Sequence, residues 1–520
     1  MTYPKLEDKK YKVKGKVIRI APATRLEGHA QINVFLDDNG EVEDTYFQVV
    51  ELRGFEEFCK GRPIEEIPRI TTRLCGVCPW PHHLAAVKAL DMAYGVEPTP
   101  VARKLRELGY CAHMLHSHIA HIYAMSVGPD MICGWAAEPE ERNIVGVINV
   151  VGPEIGKNVL TNRAYSAQIQ EIIGGKATHP IFGLPGGISQ PLSKENRDKI
   201  AKMADELVDF GKFTLQVVDD FILKKKQLVD VVVNKDLFYH ETYYMGMVNE
   251  KNELNFYDGE IRIIDPTGKE FGRFGPKNYL EDMAEHVMPW TYLKMPYLRK
   301  IGWHGFKDGP DSGIVRVAPL ARLNVADKIP TPLAQEATEH FFTILGGKPV
   351  HYTLAFHWAR AIECMYAAER LKELINEPDI TSKDVRNIPT EKPTVGVGII
   401  AAPRGTLIHH YECDDKGLIK KLNLLVASSI NYPAMNLSMK KVAKAVIHKA
   451  EVSNGILNML EMCFRAYDPC FSCSTHALPG QMPMEVKIFD SEKKLIKTIK
   501  RTQQNNENAD SCPWQSNPLR

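Results

Sequence analysis

The sequence predicts a mainly α (α+β) protein: a buried bundle of long helices with a small N-terminal antiparallel sheet and short β insertions. Three observations lead there. Leu105, Leu108, Ala112, Leu115, Ile119 and Ile122 recur at spacings of three and four, an apolar stripe that packs a helix over 101–125 against other helices. Residues 13–20 and 30–36 alternate in the manner of half-buried strands and lead into the turn signal Asp37-Asp38-Asn39-Gly40. Residues 254–274 are short-period and rich in turns, the mark of a small β insertion.

The elements follow in order. Residues 41–51 resume the strand pattern after the turn, so 13–51 reads as one small sheet. A proline-punctuated loop, 64–69, leads to Cys75, and the next helix carries Leu84, Val87, Leu90 and Tyr94 on one face. Residues 144–151 are a short run of the buried type, interrupted by Asn149, and 194–230 is a further long helix or two in succession. The β insertion lies within 250–330, with turns at Tyr257-Asp258-Gly259 and Pro266-Thr267-Gly268. Helical patterns return at 332–345 and 354–376, strand-like runs at 394–402 and 417–427 flank a turn, and 434–447 and 457–466 are again helical. No repeat of solenoid period is present. The last stretch, 502–520, has the polar, Asn- and Gln-rich composition of a disordered tail.

Composition narrows the function classes. Of 520 residues, 44% are hydrophobic and 25% charged, an ordinary globular balance. A net charge of +1 recommends neither nucleic acid nor an acidic membrane surface. No run reaches the roughly 18 apolar residues of a membrane span, and the charged N-terminus is not a secretory segment. Eleven cysteines, an odd count at scattered positions, point to a reduced cytoplasmic protein with some thiols on metal.

Four of those cysteines stand out. Arg73-Leu-Cys75-Gly-Val-Cys78-Pro-Trp-Pro-His82 and Asp468-Pro-Cys470-Phe-Ser-Cys473-Ser-Thr-His476 hold two C-x-x-C pairs at opposite ends of the chain. Four thiolates make a soft site suited to nickel, iron or zinc. Structural zinc modules keep their pairs close in sequence, because a small module closes locally, so this spacing favours a redox or catalytic metal. Cys59, Cys111, Cys133, Cys364, Cys413, Cys463 and Cys512 are isolated and form no iron–sulfur grouping.

The two signatures resemble those of the nickel–iron hydrogenase large subunit. Arg25-Leu-Glu-Gly-His29, Arg53-Gly-Phe-Glu56, Gly174-Gly-Lys-Ala-Thr-His179-Pro180, Pro319-Leu-Ala-Arg322 and Ala402-Pro-Arg404-Gly405 match further segments of that family, in its order. The resemblance covers residues 19–476. Segments such as Leu323-Asn-Val-Ala-Asp327 and His409-His-Tyr411 are similar to the cytoplasmic methanogen-type branch that does not reduce deazaflavin.

The resemblance implies reversible heterolytic cleavage of dihydrogen. Nickel would be held by all four thiolates. Cys78 and Cys473 would bridge it to an iron carrying carbon monoxide and cyanide, with Cys75 and Cys470 terminal. Dihydrogen is a very weak acid, so a metal must take hydride while a nearby base takes the proton. Cys470 is the candidate first base and Glu27 the next carrier, a carboxyl whose burial beside thiolates raises its pKa. Taken alone, Glu27 reads as a turn residue beside Gly28. Arg404 is implied to face the cyanides with an always-charged donor. Ala427 and Ser428 lie where the family offers small or hydroxyl side chains to a cyanide, and His82 where it bonds a bridging thiolate. Glu56, His476 and the Leu424 carbonyl resemble the ligands of a magnesium or iron ion near the C-terminus.

Two positions depart from the family pattern. Ser117 stands where many relatives carry Asp, and Ala401 replaces a frequent Glu, so no proton route is assigned to either. The cluster His113, His116, His118 and His121 lies on a packed helix and reads as core histidine rather than a second metal site. The implied partners are an iron–sulfur small subunit, an electron-transfer subunit with heterodisulfide reductase, and a maturation endopeptidase cutting after His476. That leaves one domain, 1–476, and a 44-residue extension, 477–520, that is removed. The alternatives are a deazaflavin- or NAD(P)-linked hydrogenase, a hydrogen-sensing homologue, the metal-free quinone-site subunit of respiratory complex I, and a zinc protein.

Overall fold

The Asp37 carboxylate closes the first turn by accepting hydrogen bonds from the Asn39 and Glu41 amides at 2.8 and 2.9 Å. It thereby joins β2 (Ala30–Leu36) to β3 (Val42–Val49), and β1 (Val17–Ile20) pairs antiparallel on the other edge of β2. The computed structural model describes residues 4–476, 484–489 and 495–501.

Prolines and polar caps set where the helices begin. α1 (Pro79–Ala93) and α2 (Pro100–Ala120) open on proline, and Thr99 Oγ1 caps α2 by accepting from the Ala102 amide at 3.3 Å. α2 runs on into wide π-helical turns over His121–Met125 and Gly128–Ile132, a form frequent at functional sites. α3 (Ile144–Val151), α4 (Pro153–Gly174) and α5 (Lys194–Val218) follow. The expected buried run 144–151 is corrected: only Val147 of α3 is buried, and Val145 is 61% exposed. The reason is that this short helix packs along one side only, against α4 and the π-helical turns.

β4 (Tyr243–Val248), β5 (Glu260–Ile264) and β6 (Glu270–Phe274) form the expected insertion, with Val315–Arg316 parallel to β4. A hairpin, β7 (Met283–Val287) and β8 (Lys294–Leu298), sits beside it. α6 (Pro319–Val325), α7 (Pro332–Ile344) and α8 (Phe356–Ile375) complete the helical body. α8 packs on α2, α5 and α7, and α2 packs on α4, so the long helices make the expected buried bundle.

The C-terminal part differs from expectation in one strand. β9 (Val395–Ala402), β10 (Gly405–Cys413) and β11 (Ile419–Leu425) form one antiparallel sheet with β10 in the centre, where a turn was expected. The histidines and Tyr411 interrupt the apolar pattern of β10, yet their polar tips find partners inside the protein. α9 (Ala427–Val446) starts directly after β11, and α10 (Asn454–Arg465) packs on it. A hairpin, β12 (Met484–Phe489) and β13 (Leu495–Arg501), lies in the C-terminal extension. The expected disordered tail 502–520 and Cys512 lie outside the described residues. Among the described residues, seven small sheets of two to four strands accompany the helices, so the architecture is α+β, and "mainly α" describes only its helical body. No helix among the described residues is long and apolar enough to cross a membrane.

Candidate metal centre

The two ends of the chain meet. A parallel bridge pairs Glu27 with Cys470, the Phe471 amide donates to the Glu27 carbonyl at 2.9 Å, and the Glu27 amide to the Pro469 carbonyl at 3.3 Å. The sulfurs of Cys75, Cys78, Cys470 and Cys473, all buried, lie within 4.8 Å of one another. Sulfur–sulfur distances are 3.2 Å for Cys78–Cys473, 3.2 Å for Cys75–Cys470 and 2.8 Å for Cys470–Cys473. The first C-x-x-C forms a turn whose Val77 and Cys78 amides donate to the Cys75 sulfur at 3.1 and 3.2 Å. Burial opposes charge on Cys75, but the other three thiols and Arg404 outweigh it and lower its pKa well below the usual range. Burial pushes Cys470 and Cys473 well up in turn.

Glu27 Oε2 lies 3.0 Å from the Cys470 sulfur and accepts from the Ser472 amide at 3.1 Å. Burial first, then the charge on Cys75, raises its pKa against the hydrogen bonds from Cys470 and Ser472. Gly28 keeps this crossing tight: at φ +89° it sits where a Cβ would meet Glu51 Oε1 at 2.4 Å and the Ser472 amide nitrogen at 2.8 Å. Arg53 clamps both cysteine loops through the carbonyls of Arg73 at 2.9 Å, Leu74 and Ser472 at 3.4 Å. The sequence pattern contained Arg53 without assigning it this role.

Above the sulfurs lies Arg404, in the turn between β9 and β10. Its Nε donates to the Asp468 carbonyl at 2.6 Å and its Nη2 to Asp468 Oδ1 at 2.9 Å, while Nη1 has no partner among the described residues. Burial disfavours its charge, but Asp468 and the nearby cysteines raise its pKa well above the usual value. Asp468 is the second residue the sequence reading left without a role. It holds a left-handed backbone, φ 55°, immediately before Pro469-Cys470, and its carboxylate also lies 3.0 Å from His121 Nδ1, though poorly angled for a hydrogen bond.

A small cavity lies between these groups, lined on one side by Cys78, Cys470 and Cys473 and on the other by Arg404, Ala427 and Ser428, with His82 at its edge. Ser428 Oγ accepts from the Cys470 amide at 2.9 Å, which leaves its own hydroxyl proton for another acceptor. His82 is buried, and burial lowers its pKa to about 4. Ser117 and Ala401 are buried. Three of the four helix histidines take separate partners, with His113 at 3.0 Å from Gln170, His116 at 3.0 Å from Arg163, and His118 at 2.9 Å from Glu363, while His121 faces Asp468.

A second polar group lies behind the second signature. His476 Nδ1 is 2.9 Å from Glu56 Oε1, which also accepts from the Leu424 amide at 3.0 Å, and Lys294 Nζ is 3.9 Å from Glu56 Oε2. Leu424 therefore presents its N–H to Glu56. Burial would raise the Glu56 pKa, but Lys294, His476 and the Leu424 amide hold it down at about 2.

The residues fit the implied groups. Four converging buried sulfurs, with two amides donating to one of them, are a donor set for soft metals. The unpartnered Arg404 Nη1 beside the cavity suits an anionic ligand on such a metal. A buried carboxylate and imidazole in contact suit a hard ion that keeps several waters.

Residues 53–131 and 310–476 match the family described as nickel-dependent hydrogenase, and 17–52 match one described as HoxL-like. The chain is 47% identical over 486 residues to an F420-non-reducing hydrogenase iron-sulfur subunit of Archaeoglobus profundus, covering 93% of this chain and 99% of that protein. It is 38% identical over 492 residues to the NAD-reducing hydrogenase HoxS subunit beta of Cupriavidus necator, covering 92% and 98%. Among solved structures, an NAD+-reducing [NiFe]-hydrogenase in the H2-reduced state superposes with a TM-score of 0.83 at 34% identity, over 90% of this chain and all of the other. The Ni-Fe-Se hydrogenase of D. vulgaris Hildenborough superposes at 0.68 with 22% identity, over 88% and 99%, a likeness of fold.

Proposed function

This chain belongs to the nickel-dependent hydrogenase family as a catalytic large subunit, an oxidoreductase that interconverts dihydrogen with protons and electrons, and from that premise we propose how its own residues serve the reaction. Cys75, Cys78, Cys470 and Cys473 would hold the nickel–iron pair. Arg404, Ser428 and Ala427 receive its cyanide and carbon monoxide ligands. The bound pair supplies the acceptor for the electrons of the H–H bond. The chain handles the proton: the Cys470 sulfur takes it and Glu27, 3.0 Å away, carries it off. That contact between a cysteine of the second signature and a carboxylate of the first motif is the observation that carries this reading.

Two electrons per dihydrogen leave through an iron–sulfur small subunit, since the isolated cysteines offer no cluster site among the described residues. Relatives 41 to 47% identical are named F420-non-reducing hydrogenases, which supports an acceptor system of the heterodisulfide reductase kind in the cytoplasm. The NAD-reducing relative supports an NAD-linked assembly as the second reading. Glu56 and His476 hold a magnesium or iron ion, and an endopeptidase cuts after His476. Elemental analysis of the purified native complex, with infrared spectra, is the test. One nickel in the large subunit is expected, with one iron, or two if the Glu56–His476 ion is iron, together with carbonyl and cyanide bands. Zinc in the four-cysteine site, or no such bands, sinks the reading.

A further inference from the structure

Four successive carbonyls lead up to the Arg404 side chain, and each accepts a hydrogen bond from a side chain on a helix. Tyr110 of α2 donates its hydroxyl to the Ala401 carbonyl at 2.8 Å. Arg322 of α6 donates Nη1 to the Ala402 carbonyl at 2.7 Å and Nη2 to that of Pro403 at 3.3 Å. Asn431 of α9 donates Nδ2 to the Arg404 carbonyl at 2.9 Å, and its Oδ1 accepts from the Val317 amide at 2.9 Å. These directions are forced, because a carbonyl only accepts and a guanidinium only donates. The turn is also pressed close to its surroundings: at Gly405, φ +125°, a Cβ would lie 2.2 Å from the Val317 carbonyl oxygen. Arg322 is fixed in its turn. Its Nε and Nη2 meet the two Glu363 oxygens at 2.6 Å each, and Glu363, on α8, also lies 2.9 Å from His118 Nε2. Tyr110, Arg322, Glu363 and Asn431 are all buried.

We propose that Arg322 is a positioning residue for Arg404: held by Glu363, it pins the Ala402 and Pro403 carbonyls and so sets where Arg404 brings its unpartnered Nη1 over the cysteine cavity. This rests on the nickel–iron reading above. Arg404 is tethered at two ends. Asp468 takes its Nε and Nη2 and orients the guanidinium, but Asp468 belongs to the second cysteine signature and does not fix the backbone from which Arg404 projects. Arg322 and Asn431 hold that backbone to α6 and α9. The match must be close, since a misplacement of about 1 Å in an active site costs roughly 10²-fold in rate. Arginine suits the task. One edge of its flat fork reaches a carboxylate while the other reaches two carbonyls, and the carboxylate offsets the buried charge. A lysine at 322 would keep the charge opposite Glu363 but does not reproduce the fork. The segment Pro319-Leu-Ala-Arg322 thus acts on the site without touching the sulfurs.

The test is the infrared spectrum of the assembled, metal-loaded enzyme carrying Arg322→Lys. Arg404→Lys, which displaces the charged donor directly, gives the reference shift of the cyanide bands. Arg322→Lys should move those bands in the same direction by a smaller amount. Arg106→Lys is the control for general loosening. Arg106 is built alike, a buried guanidinium on Asp91 at 2.6 Å and on the Leu184 and Gly187 carbonyls at 2.8 Å each, but it holds no part of the Arg404 turn. Its replacement should lower the denaturation midpoint and leave the bands in place. If Arg322→Lys assembles without metal, Glu363→Gln takes its place: it removes the charge that aligns Arg322 and keeps the arginine, and the cyanide bands should again move. Bands unmoved by Arg404→Lys or by the variant at 322 or 363 overturn the inference, as does an equal shift with Arg106→Lys. Absence of carbonyl and cyanide bands from the unaltered enzyme would instead remove the bimetallic reading, and this inference with it.

Discussion

At the scale of single residues, burial and neighbouring charge decide what each polar group can do. Glu27 and Glu56 are both carboxylates beside metal-binding residues, yet their pKa values move apart. Burial and then the charge of Cys75 raise Glu27, while at Glu56 the opposing Lys294 and His476 outweigh burial and lower it. Only the first is shifted toward neutrality. Glu27→Gln keeps the hydrogen-bonding shape and removes the titration. It should leave nickel and iron bound while turnover and hydrogen–deuterium exchange fall by about 10²- to 10⁴-fold, the usual weight of a positioned acid–base group. Exchange near the normal rate would take Glu27 off the path. The placement of Glu27 and Arg404 at the four-cysteine site was legible because they sit in short motifs of fixed spacing. Asp468 and Arg53 stood in the same motifs, but their roles were not legible. Asp468 orients Arg404 only because the chain takes a left-handed turn before Pro469, and Arg53 acts by bonding carbonyls of two loops distant in sequence. Neither relation leaves a trace in residue type.

At the scale of elements, the approach of α1 to β9 is the packing on which the site geometry depends, because α1 carries His82 and begins at Cys78. Gly398→Ala would set a Cβ against the Ala85 carbonyl. Overpacking of this kind costs about 1–3 kcal/mol. The variant should show a lower denaturation midpoint together with reduced metal content, since separating helix and sheet moves one cysteine pair relative to the other. Full stability and full metal loading would mean that the backbone gives way elsewhere at no cost. Helices with a clean apolar stripe, such as α2, were legible in the sequence. α4 was not, because the face it buries includes Gly156, Asn162, Ser166 and Gln170, and Gln170 is held by His113. A helix that buries small and polar residues has little hydrophobic periodicity to read. β10 was taken for a turn for a related reason: its interior positions include histidines whose polarity is met by partners elsewhere in the fold. The run 144–151 misled in the opposite sense, being apolar in composition while covering only one side of a short surface helix.

At the scale of the whole molecule, the chain is tied end to end by interior bonds, and these give two predictions. Asp130 lies buried between Arg25 of the first motif and Arg465 of α10, at 2.5 and 3.1 Å. Burial would raise its pKa, but the two guanidiniums overcome it and lower it below the usual 3.8. A carboxylate with a depressed folded-state pKa contributes stability above its unfolded value and loses it as pH falls through the folded one. The thermal midpoint should therefore drop on acidification below about pH 4. Asp130→Asn should cost about 3–5 kcal/mol at neutral pH, because it takes the shared carboxylate from the partly buried Arg25 and leaves the buried Arg465 with Glu461 alone, and it should flatten the acid limb. An unchanged acid limb in the variant would assign it to other carboxylates. The second tie lies at Thr475 and His476. The Arg53 and Gly54 amides donate to the Thr475 carbonyl at 3.0 and 3.2 Å, and the Glu56 amide to that of His476 at 2.9 Å, so 475–476 lie as a buried strap along 53–56. That strap covers the second cysteine pair. If maturation removes 477–520 as proposed above, metal reaches those sulfurs before the cut. The large subunit from active complex should thus have an intact mass 44 residues short of the full sequence, while metal-free precursor keeps the extension. Active protein whose mass still includes Arg520 would show that the strap closes with the extension in place.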